Sequence, residues 1–197
     1  MNLPNKLTVL RIILVPFYIF FLLMPSVPHH YLIALIIFCA ASYTDHLDGK
    51  IARKYNMITD FGKFADPLAD KIMIVAALAC FVQLGLSDAV TLTIIISREF
   101  MVTAMRLVAS SNGKVVAANN WGKAKTISQI AAVILVLLLQ YLSELHSFNV
   151  ISFADTAAVT NGFWLVGNIA LWISAALTVI SGVIYIVENF EFIKTAK

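Results

Sequence analysis

Six stretches of about twenty mostly apolar residues, parted by short turn-rich or charged connections, run through this 197-residue chain. A helix of about 20 apolar residues matches the roughly 30 Å hydrocarbon layer of a bilayer. Helices can span it because their backbone groups bond within the segment. The stretches lie at about 6–24, 31–54, 62–84, 89–111, 123–143 and 163–187. They predict an all-α, polytopic membrane protein of six transmembrane helices, a single domain over residues 1–197. The breaks have local causes: Pro25 and Pro28 after the first stretch, Gly85 with Ser87 and Asp88 after the third, Asn112-Gly113 after the fourth. Composition agrees, since 60% of residues are hydrophobic and 13% charged, whereas a soluble domain carries about 25% charged residues. With only 8 Gly, 5 Pro and 2 Cys, a collagen-like, disordered or disulfide-built chain is also excluded. Cys39 and Cys80 sit in apolar runs and are expected to be free thiols. Lys6 and Arg11 precede an apolar run with no small-x-small cleavage site after it, so the first stretch is expected to be a retained helix.

Short cytoplasmic loops collect Lys and Arg. The connections at 25–30, 84–88 and 143–162 contain none of the 14 basic residues. Alternate connections are therefore extracytoplasmic, and both termini are expected in the cytoplasm. The net charge of +3 is explained by this asymmetry and calls for no nucleic-acid partner.

The second stretch turns polar at its end, where Asp45 and Asp48 are three apart and share a helical face with Gly49 and Ala52 beside them. The third begins polar, with Asp66 and Asp70 four apart and also on one face. The two segments meet across a short link on the cytoplasmic side, so four carboxylates can converge in the inner leaflet. At about 2.5 to 3.5 kcal/mol each on the insertion scale, four unpaired acids at depth would cost roughly 10 kcal/mol before their repulsion. Something cationic must sit among them. Divalent ions such as Mg²⁺ or Mn²⁺ suit clustered carboxylate oxygens; salt bridges with Lys50, Lys63 and Lys71 are the alternative. Gly49, Ala52 and Gly62 leave room for a ligand. Pro67 either starts the third helix or kinks it.

The string Asp45-x2-Asp48-Gly49-x2-Ala52-Arg53-x8-Gly62-x3-Asp66-x3-Asp70 resembles, without departure, the signature of the CDP-alcohol phosphotransferase family. The resemblance implies a six-helix membrane enzyme, usually a homodimer, that moves a phosphatidyl or similar group from a CDP-linked donor to an alcohol and releases CMP. It implies two divalent metals on Asp45, Asp48, Asp66 and Asp70, a CDP pocket at Gly49, Ala52, Arg53 and Gly62, and Asp70 as general base.

The signature leaves the acceptor open. Arg98 and Arg106 are eight apart in the fourth stretch, and with Arg11, Lys123 and Lys125 they could form a basic cavity suited to an acceptor that carries a phosphate. Two plainer readings stand beside this one: Lys123 and Lys125 as ordinary cytoplasmic charge, and Arg98 as an internal ion pair with Glu99. The opening from Asn2 to Arg11, the segment from Ser97 to Arg106, and Gly122 to Thr126 look like bacterial phosphatidylglycerophosphate synthases of that family. That likeness implies CDP-diacylglycerol as donor and glycerol 3-phosphate as acceptor, at the cell membrane among its lipids. Other acceptors, giving cardiolipin or a phosphatidylinositol phosphate, are the rivals within the family. From another class, a cation transporter would be expected to hold its charges near the midplane and to show repeat symmetry. The fifth and sixth stretches match only in hydrophobicity, and His46 stands where many relatives have Trp. His29, His30 and His146 are expected at the surface, and Trp121, Trp164 and Trp172 as interfacial or packing aromatics.

Overall fold

The computed structural model describes the backbone of residues 3–55, 60–111 and 120–189, and the side chains of 5–44, 69, 71–109 and 120–189. The described residues form six α-helices and no strand: α1 (Leu3–Leu23), α2 (His30–Tyr55), α3 (Asp60–Gln83), α4 (Ala89–Ser111), α5 (Asn120–Ser147) and α6 (Thr156–Glu188). Among the described residues, three helices are long and apolar enough by themselves to cross a membrane: Asn5–Leu23, Asn120–Ser147 and Thr156–Glu188. The described parts of α2 and α3, His30–Thr44 and Lys71–Gln83, are shorter apolar segments. Within its span α4 carries Arg98, Glu99 and Arg106.

The connections are short because the helix ends are closed locally. Gly85, at φ +70°, follows α3. The Leu86 N–H donates to the Phe81 carbonyl at 2.8 Å and the Gly85 N–H to Val82 at 3.1 Å, the paired bonds of a Schellman end. Asn149, at φ 58°, ends α5 in the same way, with Val150 donating to Leu145 at 3.1 Å. Asp155 caps α6 by accepting from the Ala158 N–H at 2.9 Å. These ends correct the expected limits of the last two helices: α5 runs on to Ser147, and α6 begins at Thr156 rather than near 163. Hydropathy marks only the part of a helix that faces lipid. The 33 residues of α6 span about 50 Å, more than the ~30 Å hydrocarbon layer.

Packing centres on the α1–α2 and α5–α6 pairs, joined by contacts of α3 with α1 and of α5 with α2. The largest buried side chains include Tyr18, Phe38, Phe81 and Leu137, and the Tyr18 and Phe38 rings lie 6.0 Å apart. Small residues set the close approaches, as in other membrane bundles: a Cβ on Gly167 of α6 would meet Val136 Cγ2 of α5 at 3.1 Å. The buried stripe of α6 is Gly167, Leu171, Ser174, Thr178, Ser181 and Tyr185. Its large apolar residues, Trp164, Ile169, Trp172, Ile173 and Val183 among them, point outward. This helix is inverted relative to one in water, because lipid is as apolar as any core.

His30 corrects an expectation. It is buried rather than at the surface, since α5 supplies Glu144 to its backbone N–H at 3.1 Å. His29 is exposed, and His146 ties the α5–α6 connection through the Ile151 carbonyl at 3.0 Å and the Thr156 hydroxyl at 2.9 Å. Both cysteines are free.

Candidate active site

The last three turns of α2 carry Asp45, Asp48, Gly49, Ala52 and Arg53, and the first three of α3 carry Gly62, Asp66 and Asp70. Helical backbone at these positions keeps Asp45 with Asp48, and Asp66 with Asp70, on shared faces. Tyr55 and Asp60 are five Cα–Cα steps apart, so at 3.8 Å per step the two helix ends lie within about 19 Å of each other. Pro67 lies inside α3, which begins at Asp60. The side chains of all eight signature residues lie outside the described residues. Among the described residues no three His, Cys, Asp or Glu gather into a metal-binding group.

Next to the start of the apolar part of α3, a cavity of about 580 Å³ opens between helices α1 to α5. Among the described residues its wall carries six cations, Arg11, Lys71, Arg98, Arg106, Lys123 and Lys125, against one carboxylate, Glu99. A wall with such an excess of positive charge, partly shielded from water, concentrates anions.

The seven charged groups are held differently. Arg11 on α1 and Lys125 on α5 are almost fully buried, at 1% and 3% exposure. Lys125 donates to Glu99 Oε1, and Arg98 Nη1 reaches the same oxygen at 3.2 Å. Lys71 donates to the Thr103 hydroxyl, bridging α3 to α4 one residue past Asp70. Arg106 and Lys123 are exposed, and the Arg106 guanidinium lies over the Tyr185 ring of α6, 5.4 Å from its centroid. Also in the wall, Gln129 of α5 donates to the Thr178 hydroxyl of α6 at 3.2 Å.

The structure thus brings Arg11, Arg106, Lys123 and Lys125 to one cavity. Arg98 does pair with Glu99, as one of the sequence readings has it. Lys125 is not ordinary surface charge, because it is buried in the same ion pair. Lys71 and Thr103 also line the cavity. Their sequence signal is faint: a lysine directly after Asp70, and a threonine one helical turn after Glu99. Arg98, Glu99 and Arg106 explain how a helix with three charges is accommodated, since all three line the cavity.

The sequence pattern described as CDP-alcohol phosphatidyltransferase matches residues 1–180. The chain is 44% identical over 206 aligned positions to the CDP-diacylglycerol–glycerol-3-phosphate 3-phosphatidyltransferase of Bacillus subtilis strain 168, covering 99% of this chain and 98% of that protein. A Rickettsia bellii protein of the same name is 35% identical over 184 positions, 93% of each chain. One from Haemophilus influenzae is 42% identical over 137 positions, 66% of this chain and 72% of that one.

Proposed function

The chain belongs to the CDP-alcohol phosphatidyltransferase family, and from that membership we propose that it transfers the phosphatidyl group of CDP-diacylglycerol to glycerol 3-phosphate, giving phosphatidylglycerol phosphate and CMP. The observation that carries the choice of acceptor is the cavity wall, which among the described residues holds six cations and one carboxylate. An acceptor bearing a phosphomonoester fits such a wall, whereas phosphatidylglycerol, the acceptor for cardiolipin, has no terminal phosphate to place there. Relatives named for glycerol 3-phosphate match nearly the full length of the chain, which supports the same reading.

Four carboxylates in two pairs, on helix ends joined by a short link, are a hard-oxygen donor set that fits two divalent ions, Mg²⁺ or Mn²⁺. Asp45, Asp48, Asp66 and Asp70 would hold them, and when bound they neutralise the pyrophosphate and the charge growing on CMP. Gly49, Ala52 and Gly62 leave space for the CDP group, and Arg53 contributes to holding the donor's nucleotide or phosphate. Asp70 accepts the proton of the primary hydroxyl of glycerol 3-phosphate as that oxygen bonds to the β-phosphorus and the bond from that phosphorus to the CMP oxygen breaks. Arg106, Lys123, Lys125 and Arg11 hold the acceptor's own phosphate and so aim the hydroxyl. No covalent enzyme intermediate is required.

In this reading all six helices cross the cell membrane, both termini and the active site face the cytoplasm, and the enzyme works as a homodimer with the donor's acyl chains in the inner leaflet. The absence of basic residues from three alternate connections supports the orientation. The decisive experiment supplies CDP-diacylglycerol with a panel of alcohols and measures CMP release. Release with glycerol 3-phosphate well above release with phosphatidylglycerol, inositol phosphate or glycerol is expected; preference for any other acceptor would overturn the assignment.

A further inference from the structure

A chain of contacts runs from α6 into the cavity wall, through α4 to α5. Ser181 of α6 accepts from Arg98 Nη2 at 2.7 Å. Arg98 Nη1 and Lys125 Nζ both donate to Glu99 Oε1, the first at 3.2 Å. Arg98, Glu99 and Lys125 are each nine-tenths or more buried, at 9%, 8% and 3% exposure. Gly182, beside Ser181, is what lets Arg98 lie there: a Cβ at that position would stand 3.0 Å from Arg98 Cγ and 3.8 Å from its Nε. One carboxylate shared between two cations fixes both and still leaves a net positive charge facing the cavity.

We propose that Glu99 is a positioning residue for the phosphate of the acceptor, holding Arg98 and Lys125 side by side, with Ser181 and Gly182 of α6 forming the mount for Arg98. The inference rests on the reading of the cavity as the acceptor's seat. Two cations at a fixed spacing match two oxygens of a phosphomonoester, and such a pair is preformed rather than gathered from mobile side chains. Glu99 does not itself touch the anion. A carboxylate facing a phosphate would repel it; bonded to both cations, it only directs them. The role of α6 is then to hold an arginine of α4 in place from behind, which a hydrophobic anchor could not do.

The test uses the full-length enzyme in mixed micelles with CDP-diacylglycerol, measuring the KM for each substrate and kcat. Glu99→Gln keeps the shape and removes the charge that holds the two cations; the KM for glycerol 3-phosphate is expected to rise about tenfold or more while that for CDP-diacylglycerol stays within about twofold. Ser181→Ala removes one hydrogen bond and is expected to raise the same KM about 2- to 12-fold; Ser181→Thr, which keeps the hydroxyl, is expected to restore it. An unchanged KM for glycerol 3-phosphate in both Glu99→Gln and Ser181→Ala overturns the inference, as does an equal rise in both substrates' KM, which marks a merely structural part. Should Glu99→Gln fail to fold, the Ser181 pair decides alone. A wild-type enzyme that releases no CMP with glycerol 3-phosphate overturns the functional reading itself, a different outcome from a working enzyme indifferent to Glu99 and Ser181.

Discussion

Glu144, near the end of α5, accepts the backbone N–H of His30, the first residue of α2, at 3.1 Å across 114 positions of sequence. The first N–H groups of a helix have no partner within it, and a carboxylate there also meets the positive end of the helix dipole. Both residues are buried, and Glu144 Oε2 and His30 Nδ1 have no hydrogen-bond partner among the described residues. The helix that carries Asp45 and Asp48 is thus tethered at its far end by α5.

Removing the tether with Glu144→Ala leaves a buried donor unsatisfied, at a cost of about 1 to 3 kcal/mol. For a chain of this size that is a fall of roughly 2 to 12 °C in melting midpoint in detergent. Glu144→Gln, which keeps an acceptor oxygen, is expected to lose less. Equal midpoints for the alanine variant and the wild type would show that α2 needs no anchor from α5.

A second cap carries a pH signature. Asp88, ahead of α4, accepts from the Thr91 N–H at 2.8 Å and from the Thr91 hydroxyl at 2.9 Å. Slight burial pushes its carboxyl up, but the hydrogen bonds from Thr91, together with those from the Val90 backbone and the Trp172 side chain, outweigh this and hold it below the ordinary carboxylate value. The folded pKa is depressed, so the stabilisation is fully present above the unfolded value of about 3.9 and is lost as pH falls through the lower folded value. The stability gap between wild type and Asp88→Asn should therefore shrink as pH drops below about 4, as read by thermal melts across that range. A constant gap would mean that the charge of Asp88 adds nothing to the cap.

Much of the architecture can be read from residue order, because spanning length, turn residues and basic loops each answer to a physical constraint of the bilayer. Gly85 marks the end of α3 for a reason visible in advance: the Schellman end needs positive φ. Asn149 serves the same turn after α5, yet hydropathy does not see it, since α5 and α6 continue past the lipid into polar caps. The buried stripe of α6 that carries Ser181 is also written in the chain, as Gly167, Leu171, Ser174, Thr178, Ser181 and Tyr185 at alternating steps of four and three. A search for apolar faces finds the opposite side of that helix, the one lipid solvates. Of the sharing of Glu99 between Arg98 and Lys125, only the first half could be read, from the adjacency of Arg98 and Glu99; Lys125 joins from 26 positions away, a meeting that depends on how α4 and α5 each pack on α6.

Divalent ions are the first requirement of the proposed chemistry. EDTA is expected to abolish CMP release, and added Mg²⁺ or Mn²⁺ to restore it, because the paired aspartates without a cation leave the pyrophosphate charge uncompensated. Undiminished turnover in metal-free enzyme would remove metals from the mechanism.

Asp70→Asn keeps the shape of the side chain and removes its basic oxygen. A positioned general base contributes about 10² to 10⁴-fold, so turnover is expected to fall by that factor or more, with a smaller effect on donor binding in a filter assay. Wild-type turnover in this variant would assign the proton to another group or to water.

Arg106 tests the acceptor assignment most directly. It is exposed at the cavity wall, eight residues beyond Arg98, and its guanidinium lies over the Tyr185 ring. A cation–π contact uses none of the guanidinium's N–H donors, so these can bond two oxygens of a phosphate. Loss of a charge-assisted hydrogen bond costs about 1.5 to 3 kcal/mol, so Arg106→Ala is expected to weaken use of glycerol 3-phosphate by roughly 10- to 150-fold in kcat/KM. The KM for CDP-diacylglycerol should move far less, and Arg106→Lys should recover only part, since a point charge cannot bond in a bidentate way. Equal losses for both substrates would place Arg106 in the donor site or the scaffold. No loss in either would shift the acceptor's phosphate toward Lys125 and Arg11 at the same cavity.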